Sequence, residues 1–486
     1  MKYLKEILYK VALNSTIGNL NIKISGISFD SRKVKKNNIF IALPGTLNNG
    51  TDFIDEAIYK GVIAVVCEKI PKKKYKNISF LEVSNSNKAL AVISNNFYNN
   101  PSNKIKLIGI TGTNGKTTTA SLLYELFKSE GYAVGLISTI SFKFMEIEES
   151  TSHTTPDPIQ INQYLNRMID AQIEYCFMEV SSHGIFQNRI YGLNFKVGVF
   201  MNLSHDHLDY HKTFKEYRDV KKIFFDQLPK AAFALSNIDD KNGRFMLQNT
   251  VAQKKTFSIN AYADYTASIQ EIHFSGMLLK INNNEVWTHL IGSYNASNIL
   301  AVYAVAMLLK LDSLSILSHL SRLKSVKGRF EVIKTKKNGL IIIDYAHTPE
   351  ALKKVLNSIN ELRTGKETLI TIIGCGGDRD KKKRPIMGEI ASKYSDKVIF
   401  TSDNPRDEDP KNIIKSMCEG VSEDCLNKIF KIINREKAIH AGCEMLSSED
   451  ILLIAGKGHE TYQEVSGVKR PFDEFKIIKK IISKIE

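Results

Sequence analysis

Short apolar runs alternate with polar clusters along the chain, and they fall into three successive series. The first series, in residues 1–103, contains IFIAL (39–43) and VIAVVCE (62–68) between turn-like stretches rich in Asn and Gly. Apolar runs of this length between turn signals predict buried strands. We therefore expect a small α/β domain at the N-terminus that ends in the loop NNPSNK (99–104).

In the second series, residues 104–330, each apolar run ends in a polar cluster. The runs are KLIGITGTNGKTTT (106–119), EYCFMEVSSH (174–183), FKVGVFMNLSHDH (195–207) and AAFALSNIDD (231–240). Helical segments such as ASLLYELFKSE (120–130) lie between them. Continuous apolar runs that alternate with helices are typical of parallel strands buried on both faces. The second series predicts a central, doubly wound sheet of the P-loop ATPase type.

The third series, residues 331–486, repeats this pattern after GRFEVI (328–333). Its runs are GLIIIDYAHTPEALKKVL (339–356), TLITIIGCGGDRD (368–380), KVIFTSDNPRDEDP (397–410) and ILLIAGKGHE (451–460). A second parallel, Rossmann-like sheet follows from the pattern, and hence an α/β protein of three domains, 1–103, 104–330 and 331–486. Open α/β sheets bind ligands at the carboxyl ends of their strands, which is where both series carry their polar clusters.

Composition agrees with this division and narrows the class of protein. The chain has 486 residues, of which 43% are hydrophobic and 24% charged, so it can bury several cores. Its six cysteines include no CxxC pair, which argues against a zinc site and a disulfide framework. The N-terminus lacks the continuous apolar stretch of a signal peptide, and no run reaches membrane-spanning length. We therefore expect a cytoplasmic protein.

The net charge of +15 suits a nucleic acid, an anionic membrane or a polyanionic small molecule. Charge alone does not choose among these partners. A nucleic-acid-binding ATPase is a rival interpretation, but no aromatic residues interleave a basic stretch where bases could stack, and Trp287 is the single tryptophan. We therefore expect no nucleic-acid partner.

The strongest single motif is the glycine-rich stretch that follows the first strand of the second series. Backbone N–H groups of such a loop surround phosphate oxygens, Lys116 supplies a charge to the outer phosphates, and the Thr117 hydroxyl can bind Mg²⁺. The spacing departs from the strict G-x4-G-K-[ST] pattern, since Gly109 precedes Gly115 by six residues. A nucleoside triphosphate site is predicted, and a guanine-specific switch protein is disfavoured because no NKxD motif is present. The loop residues assigned to the nucleotide are Gly112, Thr113, Asn114, Gly115, Lys116, Thr117 and Thr118.

Several motifs in fixed order resemble the Mur ligase family of ATP-dependent amide ligases. They are TGTNGKTTT (111–119), MEVSSHG (178–184), NLSHDHLDYH (202–211), GSYNASN (292–298), GRFE (328–331), DYAHTPEAL (344–352) and GCGGDRDKKKRP (374–385). The additional motifs DNPR (403–406) and GKGHE (456–460) resemble the branch that adds meso-2,6-diaminopimelate as the third amino acid of the peptidoglycan stem. The resemblance extends from FDSR (29–32) to GKGHE.

The resemblance implies a reaction in which ATP phosphorylates the D-glutamyl side-chain carboxylate of UDP-N-acetylmuramoyl-L-alanyl-D-glutamate. The amine of diaminopimelate then attacks the acyl phosphate. Catalysis of such a step rests on positioning and on neutralising phosphate charge. By the same resemblance, ATP and Mg²⁺ are required, and the metal ligands are Thr117, Glu179, His207 and Lys221. The resemblance also implies that Lys221 is carbamylated by CO₂; the register from Tyr217 favours Lys221, and the neighbouring Lys222 is the alternative.

The resemblance also assigns the remaining binding residues. The adenosine part of ATP is assigned to Asn298, Arg329, Asp344 and His347. The UDP-sugar dipeptide is assigned to Ser31, Thr154, Thr155, Ser181, Gln187 and Arg189. Diaminopimelate is assigned to Arg379, Asp403, Asn404, Pro405, Arg406, Gly456 and Glu460.

Arg406 carries the choice of amino acid, because diaminopimelate has a second carboxylate that lysine lacks and a guanidinium binds a carboxylate through two hydrogen bonds. Two alternatives remain within the enzymes: the same ligation with L-lysine, and a folylpolyglutamate synthase-type ligase. We expect a monomer.

Overall fold

The computed structural model describes residues 1–45, 49–73, 75–151, 153–204 and 208–485. It has a mixed α/β fold in which three large sheets follow one another along the chain. The strands of these sheets come from the three predicted series, and those in the cores of the second and third sheets are parallel. The predicted fold class is confirmed.

The N-terminal part of the chain forms a five-stranded sheet of order β2-β7-β6-β5-β4. Its strands, with two that pair apart from it, are β1 Lys2–Tyr3, β2 Leu13–Ile17, β3 Lys23–Ile24, β4 Gly26–Ser28, β5 Asn38–Ile41, β6 Ala64–Cys67 and β7 Ser79–Val83. The helices are α1 Leu4–Ile7, α2 Ile54–Tyr59 and α3 Ser86–Phe97, with 3₁₀ turns at Ser31–Lys33, Gly50–Phe53 and Pro101–Asn103. The apolar runs predicted as strands are the buried centre of this sheet, β5 and β6.

The central sheet has eleven strands in the order β11-β10-β9-β12-β8-β13-β14-β15-β16-β17-β18. Its strands are β8 Lys106–Thr111, β9 Val134–Ile137, β10 Phe142–Phe144, β11 Ile147–Glu149, β12 Tyr175–Glu179, β13 Phe195–Phe200, β14 Phe233–Asn237, β15 Gln253–Ser258, β16 Tyr265–His273, β17 Gly276–Ile281 and β18 Asn284–Thr288. Its helices are α4 Lys116–Ser129, α5 Pro158–Asp170, α6 Ser182–Phe186, α7 Leu208–His211, α8 Phe214–Asp226, α9 Gly243–Met246, α10 Ser293–Leu308 and α11 Ser313–Leu320.

Strand β8 shows why this sheet is doubly wound. Ile108 packs in a core with α4 and α10, whereas its neighbour Leu107 packs in a second core with α5 and α8. Successive side chains of a strand point to opposite faces, so an uninterrupted apolar run fills both cores. Antiparallel strands extend the sheet at both ends, β10–β11 at one and β17–β18 at the other. The pattern of apolar runs did not predict these extensions.

The third sheet has six strands in the order β19-β20-β24-β21-β22-β23, and only its edge strand β19 is antiparallel among the strands described. The strands are β19 Glu331–Lys334, β20 Leu340–Asp344, β21 Leu369–Ile373, β22 Lys397–Phe400, β23 Ile429–Lys431 and β24 Ile451–Ala455, followed by the hairpin β25 Tyr462–Val465 and β26 Val468–Pro471. The helices are α12 Pro349–Leu362, α13 Lys383–Tyr394, α14 Pro410–Cys418, α15 Arg435–Glu444 and α16 Glu474–Ile485, with a 3₁₀ helix at Glu423–Lys428. The hairpin matters for the site, since it packs on the loop after β22.

Candidate functional site

The phosphate loop joins strand β8 to helix α4 as predicted. Gly112 and Gly115 have φ values of +156° and +87°, and the second of these left-handed residues immediately precedes the helix. The first N–H groups of a helix have no partner within the helix, so they face whatever lies at its N-terminus. The Lys116 ammonium donates to the carbonyl oxygens of Gly112 and Thr113, both at 2.8 Å.

Glu179, at the end of β12, faces this loop. Its carboxylate accepts hydrogen bonds from the Thr117 hydroxyl at 3.0 Å and from the Thr139 backbone N–H at 2.7 Å. The residue is fully buried. A buried carboxylate beside a threonine hydroxyl provides the hard oxygen donors that Mg²⁺ prefers, while leaving room for waters and phosphate oxygens. These two residues therefore fit a magnesium ion at the carboxyl edge of the sheet.

Of the two remaining residues assigned to the metal, Lys221 and His207, the structure describes only Lys221. Lys221 is 1% exposed, and its ammonium donates to the Gly112 carbonyl at 3.0 Å, which places it directly against the phosphate loop. The neighbouring Lys222 instead pairs with Asp226 at 2.6 Å. His207 lies outside the described residues. Within the described ranges, no group of three His, Cys, Asp or Glu side chains is arranged to hold a metal ion.

A cavity of about 630 Å³ opens between the central and third sheets. The assigned nucleotide residues that line it are Thr113, Asn114, Gly115, Lys116, Thr117, Thr118, Asn298, Arg329, Asp344 and His347, together with the assigned Glu179 and Thr154. Gly112 does not line the cavity, but its carbonyl accepts from the lysines described above. Most of the residues assigned to the nucleotide thus line one cavity, which is also lined by Tyr294 and Lys354, two residues that were assigned no role.

Arg329 connects the two sheets across this cavity. One of its guanidinium nitrogens donates to the Thr117 hydroxyl at 3.3 Å, and the guanidinium carbon lies 4.3 Å from the centre of the Tyr345 ring. Tyr345 directly follows strand β20 of the third sheet. An arginine stacked on an aromatic ring keeps its remaining N–H groups available for phosphate or carboxylate.

The residues assigned to the sugar and peptide part form a hydrogen-bonded group next to Glu179. The Thr155 hydroxyl donates to the Glu179 carbonyl and accepts from the Ser181 N–H, both at 2.9 Å. Arg189 donates to the Thr155 carbonyl at 2.6 Å and to the Gln187 side chain at 2.7 Å. Burial lowers the pKa of Arg189 from its usual value. Thr154 completes the group through its hydroxyl contact with the Thr139 hydroxyl at 3.0 Å.

Ser31 stands apart from this group. It lies in the N-terminal sheet, where its hydroxyl donates to Glu56 at 2.8 Å, and among the described residues no hydrogen bond joins it to the central sheet. Its neighbour Arg32 pairs with Asp30 and is largely exposed. The contacts that do join the two parts come from elsewhere, for example from Asn95 to the Tyr191 carbonyl at 3.1 Å.

The residues assigned to diaminopimelate cluster at the carboxyl ends of β21, β22 and β24. The Asn404 amide donates to Glu460 at 2.9 Å, and an added Cβ on Gly456 would lie 3.7 Å from the Asp403 carboxylate. Arg406 donates to the Gly377 carbonyl at 2.7 Å. Arg379 is exposed beside it, and an added Cβ on Gly376 would lie within 3.6 Å of both arginines. Pro405, between Asn404 and Arg406, accepts the Glu408 N–H at 3.1 Å.

Two buried cations, to which the motifs assigned no role, hold this cluster in place. Lys457 is fully buried, and its ammonium donates to Asn404 at 3.0 Å, to Glu460 at 2.9 Å and to Asp403 at 3.5 Å. Arg384 forms a two-pronged ion pair with Glu408 at 2.8 and 3.0 Å. This pairing with Arg384 lowers the pKa of Glu408 to about 2. The GKGHE motif contained a signal for the role of Lys457, because a charged residue that directly follows a buried strand needs a partner.

Asp344 links the cavity to this cluster. Its side chain accepts from the Phe330 and Ala346 N–H groups at 2.7 and 2.8 Å, while its carbonyl accepts from the Gly456 N–H at 3.1 Å. Burial raises the pKa of Asp344 to about 6, despite the nearby Arg329 charge. None of the residues assigned to diaminopimelate lines the cavity that the nucleotide residues line.

The chain resembles known proteins over nearly its whole length. Residues 23–98 match "Mur ligase family, catalytic domain", residues 110–306 match "Mur ligase middle domain", and residues 328–458 match "Mur ligase, glutamate ligase domain". A UDP-N-acetylmuramoyl-L-alanyl-D-glutamate–2,6-diaminopimelate ligase of Phocaeicola vulgatus is 47% identical over 480 residues, which is 99% of each chain.

Solved structures show the same likeness. A structure of a UDP-N-acetylmuramoyl-L-alanyl-D-glutamate–2,6-diaminopimelate ligase is 29% identical, with a TM-score of 0.70 over 100% of this chain and 99% of that one. A folylpolyglutamate synthase of Mycobacterium tuberculosis has a TM-score of 0.62 at 15% identity and covers 76% of this chain and 92% of its own. The second likeness shows a shared fold alone.

Proposed function

This chain belongs to the Mur ligase family, and on that premise we propose that it joins meso-2,6-diaminopimelate to UDP-N-acetylmuramoyl-L-alanyl-D-glutamate at the expense of ATP. One observation carries the proposal. The phosphate loop and the cluster of DNPR and GKGHE residues lie at the carboxyl ends of two sheets that the Arg329 contact with Thr117 connects, and Asp344, which lines the cavity between them, bonds to Gly456 of the cluster. An acid activated at the first place can meet an amine held at the second.

The chain's own residues supply the positioning that phosphoryl transfer requires. Lys116 and the N–H groups at the start of α4 hold the phosphates, and Arg329 reaches the same point from the third sheet. Thr117 and Glu179 would hold a magnesium ion, which would supply charge neutralisation for the phosphates. Thr155 and Arg189 orient the substrate beside Glu179. The amine then attacks the acyl carbon, the carbon–oxygen bond to phosphate breaks and inorganic phosphate leaves, and the nitrogen loses a proton as the amide forms.

Since the amino-acid cluster lies outside the cavity, we propose that the third sheet moves toward the phosphate loop during turnover. Ser31 would then hold the uridine end, and Asn298 and His347 the adenosine end. The single chain contributes all of these residues, which supports action as a monomer. Dependence on ATP and a nucleotide-linked substrate supports a cytoplasmic reaction. Among the described residues no helix has the length and apolar character needed to cross a bilayer.

We also propose that Lys221 carries the carbamate. Its support is the direction of its side chain toward the phosphate loop, while Lys222 points to Asp226. The test is ¹³C NMR of the protein in ¹³C-bicarbonate. The carbamate signal should vanish in Lys221→Met and persist in Lys222→Met. If the carbamate signal persists in Lys221→Met, Lys221 is not the carbamylated lysine.

The reaction itself is tested by mass spectrometry of the product. Purified protein receives ATP, Mg²⁺ and the UDP-muramoyl dipeptide with meso-diaminopimelate, L-lysine or no amino acid, and a separate reaction contains folate and glutamate. We expect product with diaminopimelate and none with folate. If L-lysine is ligated at the same rate, diaminopimelate is not the specific amine substrate. If the folate reaction yields a folylpolyglutamate, the proposed reaction is wrong.

Arg406→Ala sharpens this test. A hydrogen bond to a charged group contributes about 1.5–3 kcal/mol, so the KM for diaminopimelate should rise about 10- to 100-fold while the KM for ATP changes little. The matched control is Arg470→Ala, since Arg470 is an exposed arginine on the neighbouring strand β26. An equal loss in both variants would contradict the assigned role of Arg406.

A further inference from the structure

The first strand of the β25–β26 hairpin lies along the DNPR loop. The Arg406 N–H donates to the Glu464 carbonyl at 3.1 Å, and the Glu464 N–H donates to the Asn404 side chain at 3.0 Å. The Ser466 N–H returns to the Arg406 carbonyl at 2.8 Å, and the Gln463 amide donates to the Asp403 carbonyl at 2.7 Å. Main-chain atoms therefore fix the position of Glu464, whatever its side chain does.

The Glu464 carboxylate lies beside the Arg406 guanidinium, with 3.4 Å between Oε2 and Nε. The Glu464 side chain is 23% exposed and the Arg406 side chain is 21% exposed, so both reach solvent at the edge of the cluster. At this distance the pair is an ion pair without a short hydrogen bond. Both groups therefore keep most of their hydrogen-bonding capacity for a ligand.

The other acidic groups of the cluster are already engaged. Glu460 and Asp403 face the buried Lys457 ammonium, and Glu408 binds Arg384 with both oxygens. Among the described residues, the Glu464 side chain has no ion-pair partner other than Arg406. It is therefore the anion of this cluster that can accept a cation without displacing an internal one.

We propose that Glu464 is a specificity-determining residue that accepts the ammonium at the non-reacting end of diaminopimelate, while Arg406 binds the carboxylate on the same carbon. This inference rests on the function proposed above. An α-amino acid end group carries an ammonium and a carboxylate on one carbon, a few ångströms apart. Its complement is an anion and a cation in contact, which Glu464 and Arg406 provide.

Neither of the simpler amine substrates satisfies both partners. L-Lysine presents the distal ammonium without the carboxylate and leaves Arg406 unmatched. 2-Aminopimelate presents the distal carboxylate without the ammonium and leaves Glu464 unmatched. A site that must bind both charges rejects each of these analogues, because a desolvated charge left without a partner is costly.

The test compares these substrates in wild type and Glu464→Gln, with the full chain, ATP, Mg²⁺ and the UDP-muramoyl dipeptide. Glutamine keeps the main-chain bonds and the side-chain shape and removes the charge. We expect kcat/KM for meso-diaminopimelate to fall at least 10-fold, kcat/KM for 2-aminopimelate to fall less than 2-fold, and the KM for ATP to stay unchanged. Glu423→Gln, at an exposed position of the 3₁₀ helix, is the matched control and should behave as wild type.

The outcomes separate this inference from the function on which it rests. No diaminopimelate product from wild type refutes the proposed function. Active wild type with equal losses for both substrates in Glu464→Gln overturns the inference, because Glu464 would then only hold Arg406 in place. A gain with diaminopimelate also overturns it, since the carboxylate would then merely compete with the substrate for Arg406.

Discussion

Replacing Lys457 by methionine removes the cation on which the amino-acid cluster is assembled. The ammonium is fully buried and contacts Asp403, Asn404 and Glu460, three of the residues assigned to diaminopimelate. Methionine fills much of the same space, so the change is chiefly one of charge. It leaves two carboxylates facing each other without a counter-ion.

Breaking a buried ion pair by deleting one partner costs about 3–5 kcal/mol. Glu460 and Asp403 are 18% and 12% exposed, which lets water solvate part of each carboxylate. We therefore expect the lower end, about 3 kcal/mol, which corresponds to a roughly 150-fold larger opening equilibrium of this region. Catalysis should suffer at the same place, with a higher KM for diaminopimelate and a nearly unchanged KM for ATP.

Native-state hydrogen exchange measures the loss locally, in peptides covering 397–406 and 451–464. Protection should fall in Lys457→Met and recover in part in Lys457→Met with Glu460→Gln, because the double variant removes one stranded charge. Lys480→Met, an exposed lysine of α16, should stay within about 0.5 kcal/mol of wild type. If Lys457→Met also stays within that range, the buried ammonium does not organise the cluster.

Three further predictions concern other parts of the site. Because the pKa of Glu408 in the folded protein is about 2, its ion pair stabilises the fold fully above the ordinary pKa of 4.5, and this stabilisation is lost as the pH falls to about 2. Glu408→Gln should therefore unfold at a lower urea concentration than wild type at pH 7, and the difference should vanish near pH 2. Burial lowers the pKa of His459 to about 3, so the free energy of unfolding falls as the pH drops from 6.5 toward 3. His459→Gln should reduce the change of the urea unfolding midpoint over this pH range. If the pH dependence of the midpoint is the same as in wild type, His459 does not cause it. Gly115→Ala places a Cβ 2.6 Å from the Asn298 oxygen at a φ of +87°, so ATP affinity by calorimetry should fall about 10-fold or more, and full affinity would contradict the loop geometry.

Much of the fold and of the nucleotide site could be read from local patterns. The strand, glycine turn and helix around Lys116 are consecutive in sequence, and the alternation of Leu107 and Ile108 between two cores follows from the geometry of a strand. Glu179 ends an apolar run of the second series and lies at the same sheet edge as the phosphate loop, because parallel strands end together, and it contacts Thr117 there. The roles of individual residues in binding stay predictions, and His207 lies outside the described residues.

The partners of charged groups could not be read in this way. Arg329 contacts Thr117 across 212 positions of sequence, and Lys457 meets Asn404 across 53. No periodicity specifies such pairs, because they depend on how two sheets pack and on which loops the strand order brings together. Local sequence thus determined which elements form and which polar clusters lie at strand ends, since hydrophobic spacing and turn chemistry act over a few residues. Only the tertiary structure decided which charge faces which, since burial and ion pairing arise between segments that are distant along the chain.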